Sequence, residues 1–178
     1  KYTAISTLEA GLDVASMCAT STKVFILEVM GRHAGWIAAS SALANENRKK
    51  PPHIILFPEI IFNEKKFLDT VQSTIKKYGF CVVVASEGTK NKKGKFLAES
   101  GLKDAFGHAQ LGGVAPFLAE LIKAKKGYKC HWAVADYLQR SARHIASKID
   151  VQQAYALGEH AVKLAIKGEN AVMASTKR

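Results

Sequence analysis

Four polar side chains stand just where runs of apolar residues stop: Arg32, Glu87, Tyr137 and Arg140. Arg32 follows the run Lys23 to Met30 and Gly31. Glu87 follows Phe80 to Ser86 and precedes Gly88, while Tyr137 and Arg140 follow Cys130 to Ala135 and Asp136. An arginine presents a rigid fork of donors that matches the paired oxygens of a phosphate. An ionised glutamate only accepts hydrogen bonds, which suits sugar hydroxyls. Gly31 lets a ligand approach the backbone closely, and a helix expected soon after it offers free N–H groups to an anion. Taken singly, Arg32 reads equally well as a helix-start ion pair and Glu87 as a loop salt bridge. Taken together, such groups at three strand ends favour one site for a phosphorylated sugar.

These residues converge only if the runs are strands of one sheet. Residues 23–30, 53–57, 80–85 and 130–135 are short and nearly continuously apolar, as strands buried on both faces are. Helical patterns lie between them. Residues 4–19 place Ile5, Leu8, Leu12, Ala15 and Met17 near one face, and His33 to Asn45 is rich in small residues. Asn63 caps an amphipathic helix that runs to Tyr78 and stops at Gly79. Further helices are expected over Val114 to Lys123, over Gln139 to Ser147, and from a cap at Asp150 to Lys167, with Gly168 stopping the last. Gly88 to Gly101 reads as a lysine-rich loop, and Asn170 to Met173 as a final strand. The alternation implies an α/β fold, a Rossmann-like parallel sheet with helices on both faces. Ligands of such sheets bind beyond the carboxyl ends of the strands, where the four residues stand.

Composition narrows the function classes. The 178 residues are 48% apolar and 23% charged, enough for a core and unlike a disordered tail. No apolar run reaches the roughly 18 residues of a membrane span. Cys18, Cys81 and Cys130 are scattered, without metal spacing, and fit a reducing cytoplasm. The net charge of +11 is compatible with nucleic acid, a membrane surface or phosphorylated small molecules. Its clusters, Arg48-Lys49-Lys50, Lys65-Lys66, Lys76-Lys77, Lys90 to Lys95 and Lys123 to Lys126, sit at helix ends and in loops. A basic module for nucleic acid calls for stacking aromatics along one basic face, whereas Tyr2, Tyr78, Tyr128 and Tyr155 are dispersed. The expectation is no nucleic acid and no membrane. The start on Lys1, with no initiator Met, suggests a segment of a longer protein.

At the strand ends the sequence resembles a family. Glu28-Val29-Met30-Gly31-Arg32-His33-Ala34-Gly35-Trp36 is similar to the phosphofructokinase motif in which Met-Gly-Arg lines the fructose 6-phosphate site. Ser86-Glu87-Gly88 falls where that family places a sugar-binding glutamate. Asp136-Tyr137-Leu138-Gln139-Arg140 resembles the Tyr-x-x-Arg form of its 6-phosphate pocket. Gly107-His108-Ala109-Gln110-Leu111-Gly112-Gly113 is similar to a segment of pyrophosphate-dependent members, and the match continues into the last helix.

The resemblance implies phosphoryl transfer to the 1-hydroxyl of fructose 6-phosphate, with pyrophosphate as donor or, alternatively, ATP. Met30, Gly31 and Arg32 then contact the sugar phosphate, with Arg32 near the transferred group. Glu87 binds fructose hydroxyls, and Tyr137 with Arg140 binds the 6-phosphate. A homo-oligomer is implied, with Lys23 standing where relatives lend an arginine to a neighbour's phosphate. For the second lent arginine, Lys129 and His131 both lie close. The family's Gly-Gly-Asp donor loop and Thr-x-Asp-x-Asp base occur nowhere in these 178 residues, so the general base and the Mg²⁺ ligands belong to other chain. Residues 1–138 form the sugar-phosphate domain in this reading, and residues 139–178 helices that return toward a donor domain. His108 reads as a ligand or a loop histidine, and Gly112-Gly113 as a phosphate cradle or a tight turn.

Overall fold

A computed structural model of the chain describes residues 1–45, 51–103 and 109–177, with backbone alone for 99–103 and 109–110. The basic run Arg48-Lys49-Lys50 and the pair Gly107-His108 lie outside the described residues. The chain divides into two compact units, one from Tyr2 to Ser141 and one from Ala142 onward together with Lys1.

The larger unit is built on four parallel strands: β1 (Val24–Val29), β2 (Ile54–Leu56), β3 (Cys81–Ser86) and, fourth in the sheet, β6 (Cys130–Val134). Their order is β2-β3-β1-β6, with Val24 in register with both Cys81 and Cys130. The central strands, β1 and β3, have six residues each, and all six residues of β3 are buried. The pleat sends alternate residues of β1 to opposite faces. Val24 and Ile26 join Cys81, Val83 and Ala85 in a core under α3 (Glu64–Tyr78) and α4 (Val114–Lys126). Leu27 and Val29 join Val84 and Ala38 in a second core on the other face, where Tyr2 of α1 (Tyr2–Met17) also packs. The expected sheet, with helices on both faces, is what forms.

Local chemistry sets several boundaries. The Asn63 side chain accepts the Lys66 N–H at 3.0 Å, so α3 starts where the cap requires. Gly79, at φ 86°, ends it by donating its N–H to the Ile75 carbonyl. The helix expected from His33 begins later, as α2 (Trp36–Ser40), and tightens into a 3₁₀ turn over Ser41–Ala44.

Four expectations need correction. Gly88 to Gly101 is not all loop. Lys90 bridges Phe96, and β4 (Glu99–Lys103) pairs antiparallel with β5 (Ala109–Leu111) as a separate ribbon. Both strands are short and outside the main sheet, and neither contains an apolar run that would announce it. The expected helix at 139–147 is split into α5 (Leu138–Ser141) and a 3₁₀ turn at Arg143–Ile145, because Ala142 leaves helical geometry at ψ 62°.

In the smaller unit α6 (Lys148–Ile166) has Ser147 at its N-cap, and Asp150 lies inside its first turn. A carboxylate there still faces the positive end of the helix dipole, which explains the one-turn error. Asn170 to Met173 forms no strand: Ala171 adopts φ 57°, which breaks an extended run. Among the described residues no helix is long and apolar enough to cross a membrane.

Candidate functional site at the strand ends

β1 and β3 lie side by side in register, so their exits meet. The Ser86 hydroxyl donates to the Gly31 carbonyl and accepts the Gly88 N–H at 3.2 Å. Glu87 donates its own N–H to the Val29 carbonyl at 3.0 Å, and its Oε1 accepts the Gly31 N–H at 3.1 Å. Gly31 has φ 138°, in the region that disfavours any side chain, and a Cβ there would lie 2.8 Å from the Ala34 carbonyl oxygen. The Glu87 carboxylate is therefore oriented by backbone and keeps Oε2 for another donor.

A pocket of about 150 Å³ opens at this junction, and Glu28, Met30, Glu87, Gly112, Val134 and Asp136 are among the residues lining it. Three strands contribute to the lining. Asp136 turns the chain off β6 at φ 38°, and the next residue, Tyr137, is 65% exposed. Arg140 follows within one turn, its guanidinium 5.1 Å from the centre of the Tyr137 ring. At that distance the cation is attracted to the ring face and held partly oriented.

The residues singled out from the sequence fall into three places. Met30 and Glu87 line the pocket, Gly31 holds Glu87, and half-buried Arg32 follows with its carbonyl packed against Gly88. Tyr137 and Arg140 pair with each other beyond Asp136. Lys23 is at the opposite end of β1, where its ammonium donates to the Cys18 carbonyl. It is not part of this pocket.

The residue that sequence reasoning passed over is Glu28. It is 1% exposed, and the pleat points it to the α4 side of the sheet. Its Oε1 accepts the Gly113 N–H at 3.1 Å and its Oε2 the Ala115 N–H at 2.8 Å. The Gly112-Gly113 pair, at φ 135° and 96°, turns the chain so that these donors aim at the carboxylate. Of the two readings of the pair, the tight turn is the one that forms, and the anion at this helix start is the protein's own. Hydrogen bonds to a charged group contribute about 1.5–3 kcal/mol each. Burial holds the Glu28 carboxyl above its ordinary range; the α4 N–H groups partly offset this, and the nearby Glu87 charge adds to it. The signal in the sequence was a carboxylate inside an apolar run. The same device recurs before α2, where Glu59 accepts the Gly35 N–H at 2.7 Å.

Among the described residues the thiols and histidines hold no competing site. Burial, then Cys130, pushes Cys81 up to about 12, while burial, then Glu120, pushes Cys130 up to about 11. Both stay protonated, which suits neither a nucleophile nor a metal ligand. Among the described residues no group of three or more His, Cys, Asp or Glu could hold a metal ion. Of the pocket carboxylates, Glu28 has both oxygens committed to α4 and is not offered to Mg²⁺.

Comparison with known proteins gives a consistent answer. A family model described as phosphofructokinase matches residues 1–165. The chain is similar to the pyrophosphate–fructose 6-phosphate 1-phosphotransferase of Halomonas elongata, 64% identical over 178 residues, covering all of this chain and 42% of that protein. The protein of the same name from Methylococcus capsulatus is 57% identical over 178 residues, again 42% of its length. The chain thus spans about two fifths of the length of these curated relatives. The crystal structure of a pyrophosphate-dependent phosphofructokinase from Marinobacter aquaeolei matches with a TM-score of 0.79 at 56% identity, over 96% of this chain and 39% of that one.

Proposed function

Because the chain belongs to the phosphofructokinase family, we propose that it forms the acceptor half of an enzyme phosphorylating fructose 6-phosphate at the 1-hydroxyl to give fructose 1,6-bisphosphate. Pyrophosphate is the donor in this reading, ahead of ATP. The support is that the relatives at 57–64% identity carry pyrophosphate in their names.

The observation that carries the acceptor assignment is Glu87, held on one oxygen by Gly31 and free to accept sugar hydroxyls with the other. Met30 and Gly31 form the adjoining wall. Arg140, resting on the Tyr137 ring, meets the 6-phosphate with charge-assisted hydrogen bonds. Arg32 meets the transferred phosphoryl group, whose charge spreads over its equatorial oxygens as the bond to the donor breaks. Catalysis here is positioning and charge stabilisation, since the base that takes the proton of the 1-hydroxyl lies on other chain. Mg²⁺ belongs to the donor side. The setting is the cytoplasm, in keeping with three unpaired cysteines. The assembly is a homo-oligomer in which Lys23, remote from its own chain's pocket, serves a neighbour.

Two measurements test this. Titration calorimetry of the natural protein at full length shows fructose 6-phosphate binding that Arg140→Ala weakens by about tenfold, the loss of a charge-assisted pair. The 178-residue chain alone forms no fructose 1,6-bisphosphate with either donor. Turnover by the pure chain would overturn the assignment of the base to other chain, and unchanged binding by Arg140→Ala would overturn the phosphate pocket.

A further inference from the structure

A carboxylate buried to 1% exposure at the end of a central strand is costly unless its charge is matched by donors. Glu28 finds them in another element, the first turn of α4, through Gly113 and Ala115. The segment between β5 and α4 is thereby tied to the strand-end pocket. Leu111 and Gly112 immediately precede the tied amides, and both line that pocket together with Glu28 and Glu87. Glu28 also feels the charge of Glu87 directly. One side chain therefore touches the scaffold helix, the pocket wall and the field around the sugar-binding carboxylate.

We propose that Glu28 is a positioning residue for the acceptor site: by holding the start of α4 it fixes the Leu111–Gly112 wall opposite Glu87, and so sets affinity for the sugar phosphate. This rests on the reading of the site given above. It assigns Glu28 no contact with the reacting atoms. Removing its charge leaves the Gly113 and Ala115 amides without an ionised acceptor in a dry environment. The Gly112-Gly113 pair, unconstrained by side chains, then lets the wall drift. Glutamine keeps the size of the side chain, but its NH₂ group faces one of the two backbone donors.

The tie is reciprocal: if the start of α4 conditions the pocket, an occupied pocket must steady the start of α4. In the natural protein at full length, Glu28→Gln weakens fructose 6-phosphate by about tenfold, a size ordinary for coupling between adjoining sites. KM rises by a larger factor than kcat falls, because the transferred group is met by Arg32. Amide hydrogen exchange supplies the readout that a stabilising role alone would not move. In the unmutated protein, saturating fructose 6-phosphate slows exchange at Gly113 and Ala115 and leaves Val71 and Ile75 of α3 unchanged. Arg140→Ala separates the two ideas. If it and Glu28→Gln both leave affinity intact, the site reading falls and this inference falls with it. If only Arg140→Ala weakens binding, the positioning role of Glu28 is overturned. Should Glu28→Gln fail to fold, the exchange measurement on the unmutated protein decides, and binding without added protection at Gly113 and Ala115 overturns the proposal.

Discussion

Two helices of this chain carry apolar stripes of similar periodicity and meet opposite fates. α3, of 15 residues, buries Phe67, Leu68, Val71, Thr74 and Ile75 against the sheet. α6, of 19 residues, has Val151, Ala154, Leu157, Ala161, Leu164 and Ala165 at spacings of three and four and buries none of its residues. Both stripes recur at three and four residues, so periodicity announces a helix and a face, not what covers the face. The ends differ as well. α3 is fixed by the Asn63 side chain and closed by Gly79, whereas Ser147 at the start of α6 makes no side-chain capping bond. An uncovered helix draws its stability from propensity and capping alone, a weak source in water.

The contrast can be tested by unequal responses to substitution. Phe67→Ala, at a ring 4% exposed and packed 5.3 Å from Phe62, destabilises the chain by about 3–5 kcal/mol in urea unfolding. A loss under about 1 kcal/mol would mean that the α3 face is looser than its burial implies. Glycine to alanine changes come next and carry opposite signs. At Gly79, with φ 86° and Cys18 Sγ 3.3 Å from a built Cβ, alanine costs about 1–2 kcal/mol. At Gly158, inside α6 with nothing within 4 Å, alanine raises helicity by about 0.8–1 kcal/mol, read by circular dichroism. The smallest step is Val151→Ser, at a side chain 44% exposed, which shifts stability by less than about 0.5 kcal/mol. A larger loss would reveal that the α6 stripe is already covered.

The last effect is read as a slope. His53, 5.3 Å from Tyr78 at the end of α3, accepts the Val82 N–H on Nδ1 at 3.0 Å, so its neutral form is built into the sheet edge. Burial lowers its pKa below the ordinary 6.5. The unfolded chain then binds the proton more readily, so this contribution is present above pH 6.5 and is lost as pH falls through the lowered value. His53→Asn flattens that part of the stability profile, and an unchanged slope would exclude His53 as its source.

What was legible in the sequence follows from the same physics. β1 and β3 were readable because strands buried on both faces leave continuous apolar runs, and α3 because its cap and stop are written in Asn63 and Gly79. The β4–β5 ribbon was not, since strands of five and three residues carry no alternation long enough to read. The exits of the strands pointed to Met30, Gly31 and Glu87, because polar groups at the carboxyl edge of such a sheet have few other reasons to gather. Glu28 escaped because its partner, the start of α4, is 85 residues away in the chain. A charged residue within an apolar run says only that some compensation exists, and the fold says where.

Gly88 has a consequence for how this pocket can be altered. A methyl group at that position would stand 2.0 Å from the Arg32 carbonyl oxygen and 2.5 Å from that of Gly31, far inside contact distance. The two strand exits are therefore seated without clearance, like faces of a fitted joint, and Ser86 pins them across the seam. Arg32 takes its location from a neighbouring strand as much as from its own. The spacing of the exits is not a freely adjustable dimension of this architecture. Reshaping the cavity for a larger or smaller guest has to proceed through the side chains around it, while the seam beneath stays shut.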